Sequence, residues 1–134
     1  MLDPHAALIY TMVIVSAADR DMTDAELTAI GDIVGHLPVF QDFDRGRLTT
    51  VLDDCAKLLS SETGLDEAFR SIKSALPANL RETAYAIACD VVAADGEATQ
   101  EELRVLEIMR HRLSIDRLIA AGIERGARAR FQTL

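Results

Sequence analysis

The sequence predicts an all-α fold: one domain, residues 1–134, built as a bundle of about seven helices. Three observations predict it. Apolar residues recur at helical spacing along nearly the whole chain. The interruptions are helix stop and start signals, chiefly Pro, Gly and Thr. And one unit, an Ala-rich helix followed by an acidic turn and a capped helix, occurs twice. The second copy runs Asp90-Val91-Val92-Ala93-Ala94-Asp95-Gly96-Glu97-Ala98-Thr99-Gln100-Glu101-Glu102-Leu103. The first runs Ala17-Ala18-Asp19-Arg20-Asp21-Met22-Thr23-Asp24-Ala25-Glu26-Leu27, at a constant offset of 76 (95 − 19). Two copies do not make a solenoid; they predict a pseudo-symmetric pair of helical hairpins, helices 1–2 and 5–6, inside one domain.

Taken in order, helix 1 spans about Pro4 to Ala18, with proline in the first turn where its missing N–H has no partner. Its Val and Ile content would suit a strand, but its length and its place in the repeat favour a mostly buried helix. Helix 2 follows Thr23 and ends near His36, with Leu27, Ile30, Val34 and Leu37 on one face and Gly35 and Pro38 as stop signals. Phe40 and Phe43 sit in a loop predicted to fold back on the core. Helix 3, Asp44 to Ser60, carries a stripe of Leu48, Val51, Leu52, Cys55, Leu58 and Leu59. Gly64 breaks the chain before helix 4, Leu65 to Leu76. Pro77 separates that from helix 5, Ala78 to Ala94, whose small residues admit close packing. Helix 6, Gln100 to Arg112, turns Leu103, Leu106, Met109 and Leu113 inward. Ser114 can cap helix 7, with Ile115, Leu118, Ile119 and Ile123 continuing the apolar pattern.

The core must be aliphatic, because Trp is absent and aromatics make up only 4% of the chain. Charge is uneven. Residues 1–103 hold 7 basic and 19 acidic side chains, net −12, and residues 104–134 hold 7 basic and 3 acidic, net +4. So acidic a body argues against nucleic acid, whose phosphates need Lys and Arg, and favours cations or a basic protein surface. Solubility alone also explains it. The basic end, Arg125 to Arg130, can stabilise a helix C-terminus or meet an acidic partner or anionic lipid. Cys55 and Cys89 form no disulfide framework or C-x-x-C pair, which fits a reducing cytoplasm. The apolar run from Ala6 to Ala18 is too short to span a membrane. It also lacks the charged leader of a signal peptide.

The chemistry worth weighing lies in the two acidic turns. Thr23 with Glu26, and Thr99 with Glu102, form the T-x-x-E capping box, in which hydroxyl and carboxylate each take one backbone N–H. Asp19, Asp21, Asp95 and Glu97 add carboxylates in the turns, and Asp90 stands on the flank of helix 5 where it can look toward the second turn. Oxygen-rich sets of this kind suit hard cations. This is no EF-hand: counted from Asp95, the sixth position is Gln100 and the twelfth is Leu106. Capping alone can occupy Glu26 and Glu102. If the hairpins pack around a pseudo-two-fold axis, both turns reach one end of the bundle, where a cation would relieve their repulsion. A structure with the turns at opposite ends removes that shared site. Catalysis is not expected, since the chain has no G-x-S-x-G, H-E-x-x-H, Walker or Gly-rich dinucleotide motif. Paired acids could act as acid and base, but no nucleophile accompanies them.

The motif A-A-D-G-E-x-T-x-x-E-L, Ala93 to Leu103, resembles the signature of the TerB-like family, which includes tellurite-resistance proteins and the N-terminal domain of a membrane-anchored DnaJ-like protein. The first copy departs from it, with Arg20 where Gly is usual. The resemblance implies an all-α bundle without catalytic activity, a role in tellurite or other chemical stress, and acidic residues that bind metal. Carried onto this sequence, the metal ligands are Asp95, Glu97 and Glu102, then Asp19, Asp21 and Glu26; Asp90 is added from helix geometry. The expectation is a cytoplasmic accessory protein that binds a divalent cation (Ca²⁺, Mg²⁺, Mn²⁺ or Zn²⁺) and docks on protein partners, a membrane protein among the candidates, with a homodimer left open. The alternative is a metal-independent protein-interaction module.

Overall fold

The computed structural model describes residues 2–19 and 22–134. The described residues form seven α-helices and no strand: α1 Pro4–Ser16, α2 Asp24–His36, α3 Leu48–Leu59, α4 Gly64–Ala75, α5 Arg81–Ala93, α6 Gln100–Arg112 and α7 Arg117–Arg130. None of the described helices is long and apolar enough to cross a membrane.

The centre is α1, buried at every residue from Ala6 to Ser16. That explains its lack of an apolar stripe: a helix covered on all sides needs apolar residues all round. It packs against α5, α3 and α4, and more lightly against α6 and α2. The second inner helix, α5, contacts α1 on one side and α7 on another, and also touches α2 and α6. Thus α2 reaches across to α5 while α6 reaches across to α1. That crossed arrangement is compatible with pseudo-symmetric hairpins.

Local chemistry sets the boundaries. Asp3 caps α1, its Oδ1 accepting the Ala6 N–H at 2.8 Å while its Oδ2 accepts from Arg47 at 2.8 Å. The amide bond comes first, and the guanidinium adds to it, in holding this carboxyl below the usual range. Phe40 and Phe43 fold onto the core, where His5 stacks on Phe40, meets Phe43 edge-on, and brings its Nε2 to 2.7 Å from the Val39 carbonyl. His36 lies in the last turn of α2 with Nδ1 2.9 Å from the Asp32 carbonyl.

Several sequence expectations are corrected. The regions expected to open helices 3 and 5 begin as separate 3₁₀ turns, Arg45–Arg47 and Ala78–Leu80. Ser114 caps nothing: it takes φ +57°, the left-handed conformation that ends α6, and α7 starts later under Asp116, whose carboxylate accepts from the Leu118 and Ile119 amides at 3.0 and 3.3 Å. Leu27 and Leu103, equivalent in the repeat and expected inward, are 43% and 46% exposed. The residue before each, Glu26 or Glu102, occupies the buried line instead.

Gly64 is required for packing rather than for a turn conformation. A Cβ there would stand 1.8 Å from the Leu58 carbonyl oxygen, and backbone cannot move aside as a side chain can. Gly31, in α2, has nothing within 4 Å of its would-be Cβ. Gly64→Ala should therefore destabilise by about 1–3 kcal/mol, while Gly31→Ala should stabilise by about 0.5–1 kcal/mol. Urea melts of the two variants beside the parent check the opposite signs.

Candidate metal centre

The site grows out of two capping boxes. At the start of α2 the Thr23 N–H donates to Glu26 Oε1 at 2.9 Å and the Glu26 N–H donates to Thr23 Oγ1 at 3.1 Å. At the start of α6 the Thr99 N–H donates to Glu102 Oε1 at 2.9 Å and the Glu102 N–H donates to Thr99 Oγ1 at 3.1 Å. The two capping boxes repeat in geometry as they do in sequence. Each box satisfies two N–H groups that a helix start otherwise leaves without partners.

What the boxes do next is less ordinary. Glu26 and Glu102 are each only 1% exposed, although N3 glutamates usually point into water. Their carboxyls meet, with Asp19 of the first turn also within electrostatic reach of Glu102. The structure thus brings the two corners to the same end of the bundle. Two carboxylates have no proton to share, so among the described residues Glu26 Oε2 stays buried and without a donor unless Glu102 is protonated. Burial first, then the neighbouring Glu26 carboxyl, push Glu102 up to about 7, against the opposing pull of the Thr99 amide.

The other predicted ligands lie apart from this contact in different ways. Asp95 is exposed in the second turn and accepts the Glu97 N–H at 3.2 Å, an Asx-type turn bond. Gly96 beside it has φ +87°, as the sharp turn requires. Glu97 is exposed. Asp90 does not look toward the turn; it is ion-paired with Arg130 of α7. Asp21, with Arg20, lies outside the described residues. Among the described residues no three His, Cys, Asp or Glu side chains gather as ligands of one ion.

With this geometry in view, the chain matches the family model of the tellurite resistance protein TerB over residues 5–122. It belongs to the TerB family. Comparison with curated proteins and with solved structures gives no match. The match covers α1 to α6 and ends inside α7, so both acidic corners of this TerB-family chain fall within it, while the basic second half of α7 falls outside.

Sequence reasoning ranked Glu26 and Glu102 as caps or ligands but did not see that they are interior. The signal was present: Glu26, Ile30 and Val34 are spaced four and four, and Glu102, Leu106 and Met109 four and three, so each glutamate heads its helix's buried line. It also missed Tyr85, a buried ring whose hydroxyl donates to Glu124 at 2.5 Å.

The raised pKa carries a stability prediction. Below about pH 4.5, the ordinary Glu value, folded and unfolded chains both hold this proton. Between there and about 7 the unfolded chain releases it and the native chain does not, so stability falls as pH rises. The loss is on the order of 1–3 kcal/mol. Asp3 and Asp66, both held low by hydrogen bonds, act in the opposite sense but at more acidic pH. The melting temperature should therefore drop by several degrees from pH 5 to pH 7.5. Glu102→Gln keeps an acceptor for the Thr99 amide and adds a donor for Glu26; it should melt higher than the parent at pH 7.5 and flatten the trend. Thermal melts across this range, followed by circular dichroism, test both.

Proposed function

We propose that this chain is a non-catalytic accessory domain of tellurite or related chemical stress resistance, and that its paired corners take up a hard divalent cation between the hairpins. The observation carrying this reading is the buried meeting of Glu26 and Glu102 with one oxygen left without a donor among the described residues. Membership of the TerB family supports the stress-resistance setting.

The chemistry of the donor set fits such an ion. Two carboxylates, with Asp19 close by, offer hard oxygen and neither thiolate nor imidazole, which suits Mg²⁺, Mn²⁺ or Ca²⁺ over Zn²⁺. Mg²⁺ commonly binds through one or two carboxylates and keeps several waters, so three gathered protein ligands are not a requirement. A bound cation would supply the positive charge that the facing acids lack. The capping oxygens remain on their amides, leaving Glu26 Oε2, which has no donor among the described residues, for the ion. Asp95 and Glu97, exposed at the rim of the same corner, add negative potential that draws cations inward. Docking on protein partners, including one held in a membrane, is compatible with this reading, as is a cytoplasmic location.

Protons and cations compete for the same oxygens, which makes the test specific. Adding Mg²⁺, Mn²⁺ or Ca²⁺ at pH 7.5 should raise the melting temperature, and a ligand at 100 times its Kd adds about 2.7 kcal/mol. The shift should shrink at pH 5.5 and vanish in Glu102→Gln, while Asp90→Asn should retain it. Absence of any shift at pH 7.5 with all three ions would leave the corners as caps alone and favour an interaction module independent of metal.

A further inference from the structure

A cavity of about 530 Å³ lies between α6 and α7, on the face of α5. It exists because both outer helices pack on α5 but scarcely on each other. Its direction follows from two contacts. Tyr85 bonds Glu124 and Asp90 pairs with Arg130, so α7 runs parallel to α5, while α6 returns antiparallel after the second corner. One end of the groove therefore holds Tyr85, Glu124 and Arg110. The other holds Ala93, Leu103 and Phe131. Leu103 and Phe131 are 46% and 39% exposed, large apolar side chains left in water at the rim. The floor, Cys89, Val92, Leu106 and Ala127, is buried and largely apolar. Burial pushes the Cys89 thiol up to about 12, so it serves as wall and not as nucleophile.

The charged groups separate by whether they are engaged. Glu124 accepts the Tyr85 hydroxyl. Arg110 and Arg128 line the groove, and neither forms an ion pair among the described residues; Arg110 Nη2 only approaches the adjacent His111 Nε2 at 3.1 Å. Arg112 and Arg130, each two residues further on, both have carboxylate partners. Glu107 also lines the groove, so the wall is balanced in charge but not in pairing. Two guanidinium groups beside an apolar trough match an anionic head that accepts forked hydrogen bonds, joined to an apolar body. The volume falls in the ordinary range for small-ligand sites, about 300–1,000 Å³.

We propose that this groove binds a small single-chain amphiphile with a carboxylate or phosphate head, gripped by Arg110 and Arg128, its apolar tail lying along Val92, Leu106 and Phe131 toward Leu103. The site uses none of the corner acids. Its α7 wall, from Glu124 onward, lies beyond the part of the chain that matches the family model.

Methyl-detected NMR of the full chain tests it, with decanoate and decyl phosphate as probes and decanol and decyltrimethylammonium as head-group controls. The anionic probes should shift the methyls of Val92, Leu106 and Ala127 saturably. Affinity should increase by up to about fourfold per added methylene from hexanoate to decanoate. Arg110→Ala and Arg128→Ala, both at surface positions, should each weaken binding by about tenfold, and Leu103→Glu should weaken it without unfolding the domain. Equal binding of all four head groups, shifts confined to other faces, or saturation by an acidic amphipathic peptide alone would overturn the assignment. A head-group preference for the ammonium would move it to Glu107 and Glu124 and overturn it equally.

Discussion

Two buried carboxyls facing each other are the constraint on which this molecule turns. Each glutamate is fixed from its own side by a capping box, so neither can swing into water without releasing a helix start. The boxes are therefore more than local caps. By placing Glu26 and Glu102 at the head of the buried line of α2 and α6, they tie the two hairpins together at a point where the chemistry is unfavourable when both are ionised. A proton on Glu102 relieves it, and a cation would do the same. An apolar pair would stabilise the same junction with less cost.

The fold was legible because the signals that define a helical bundle are local. Capping threonines, Pro4, Pro38 and Pro77 and the four-residue apolar spacing each act within a turn or two of chain. The bounds of α2 and α6 coincide with the sequence reading because both hang on the same cap. Ser114 misled because a serine before an apolar run suits a cap, whereas the chain there first needed a left-handed residue to turn the corner out of α6. The site was legible by half. Spacing identified the acids, but whether a glutamate at N3 faces water or core depends on the neighbouring hairpin, a contact more than seventy residues distant in sequence. Asp90 shows the same limit: its flank was read as looking toward the second acidic turn, but it faces Arg130 instead, which only the path of α7 reveals.

That path also explains where the repeat breaks. Subtracting the offset of 76 sets Tyr85 against Ile9, Cys89 against Val13 and Asp90 against Ile14. The α1 members are apolar because α3 and α4 cover that helix. The α5 members are polar or polarisable where α7, packed on α5 through Ala120 and Ala127, brings Glu124 and Arg130 to its edge. Tyr85 and Asp90 bind Glu124 and Arg130, five and six residues apart along two parallel helices, so α7 is held at two points. A helix fixed at two points against α5 cannot settle sideways into the space beside α6. The trough thus follows from the same departures from symmetry that dock the last helix, apart from the capping boxes, where symmetry is kept. An ion at the corners and an amphiphile in the trough would then meet only through α5 and the start of α6, where Leu103 follows directly on Glu102.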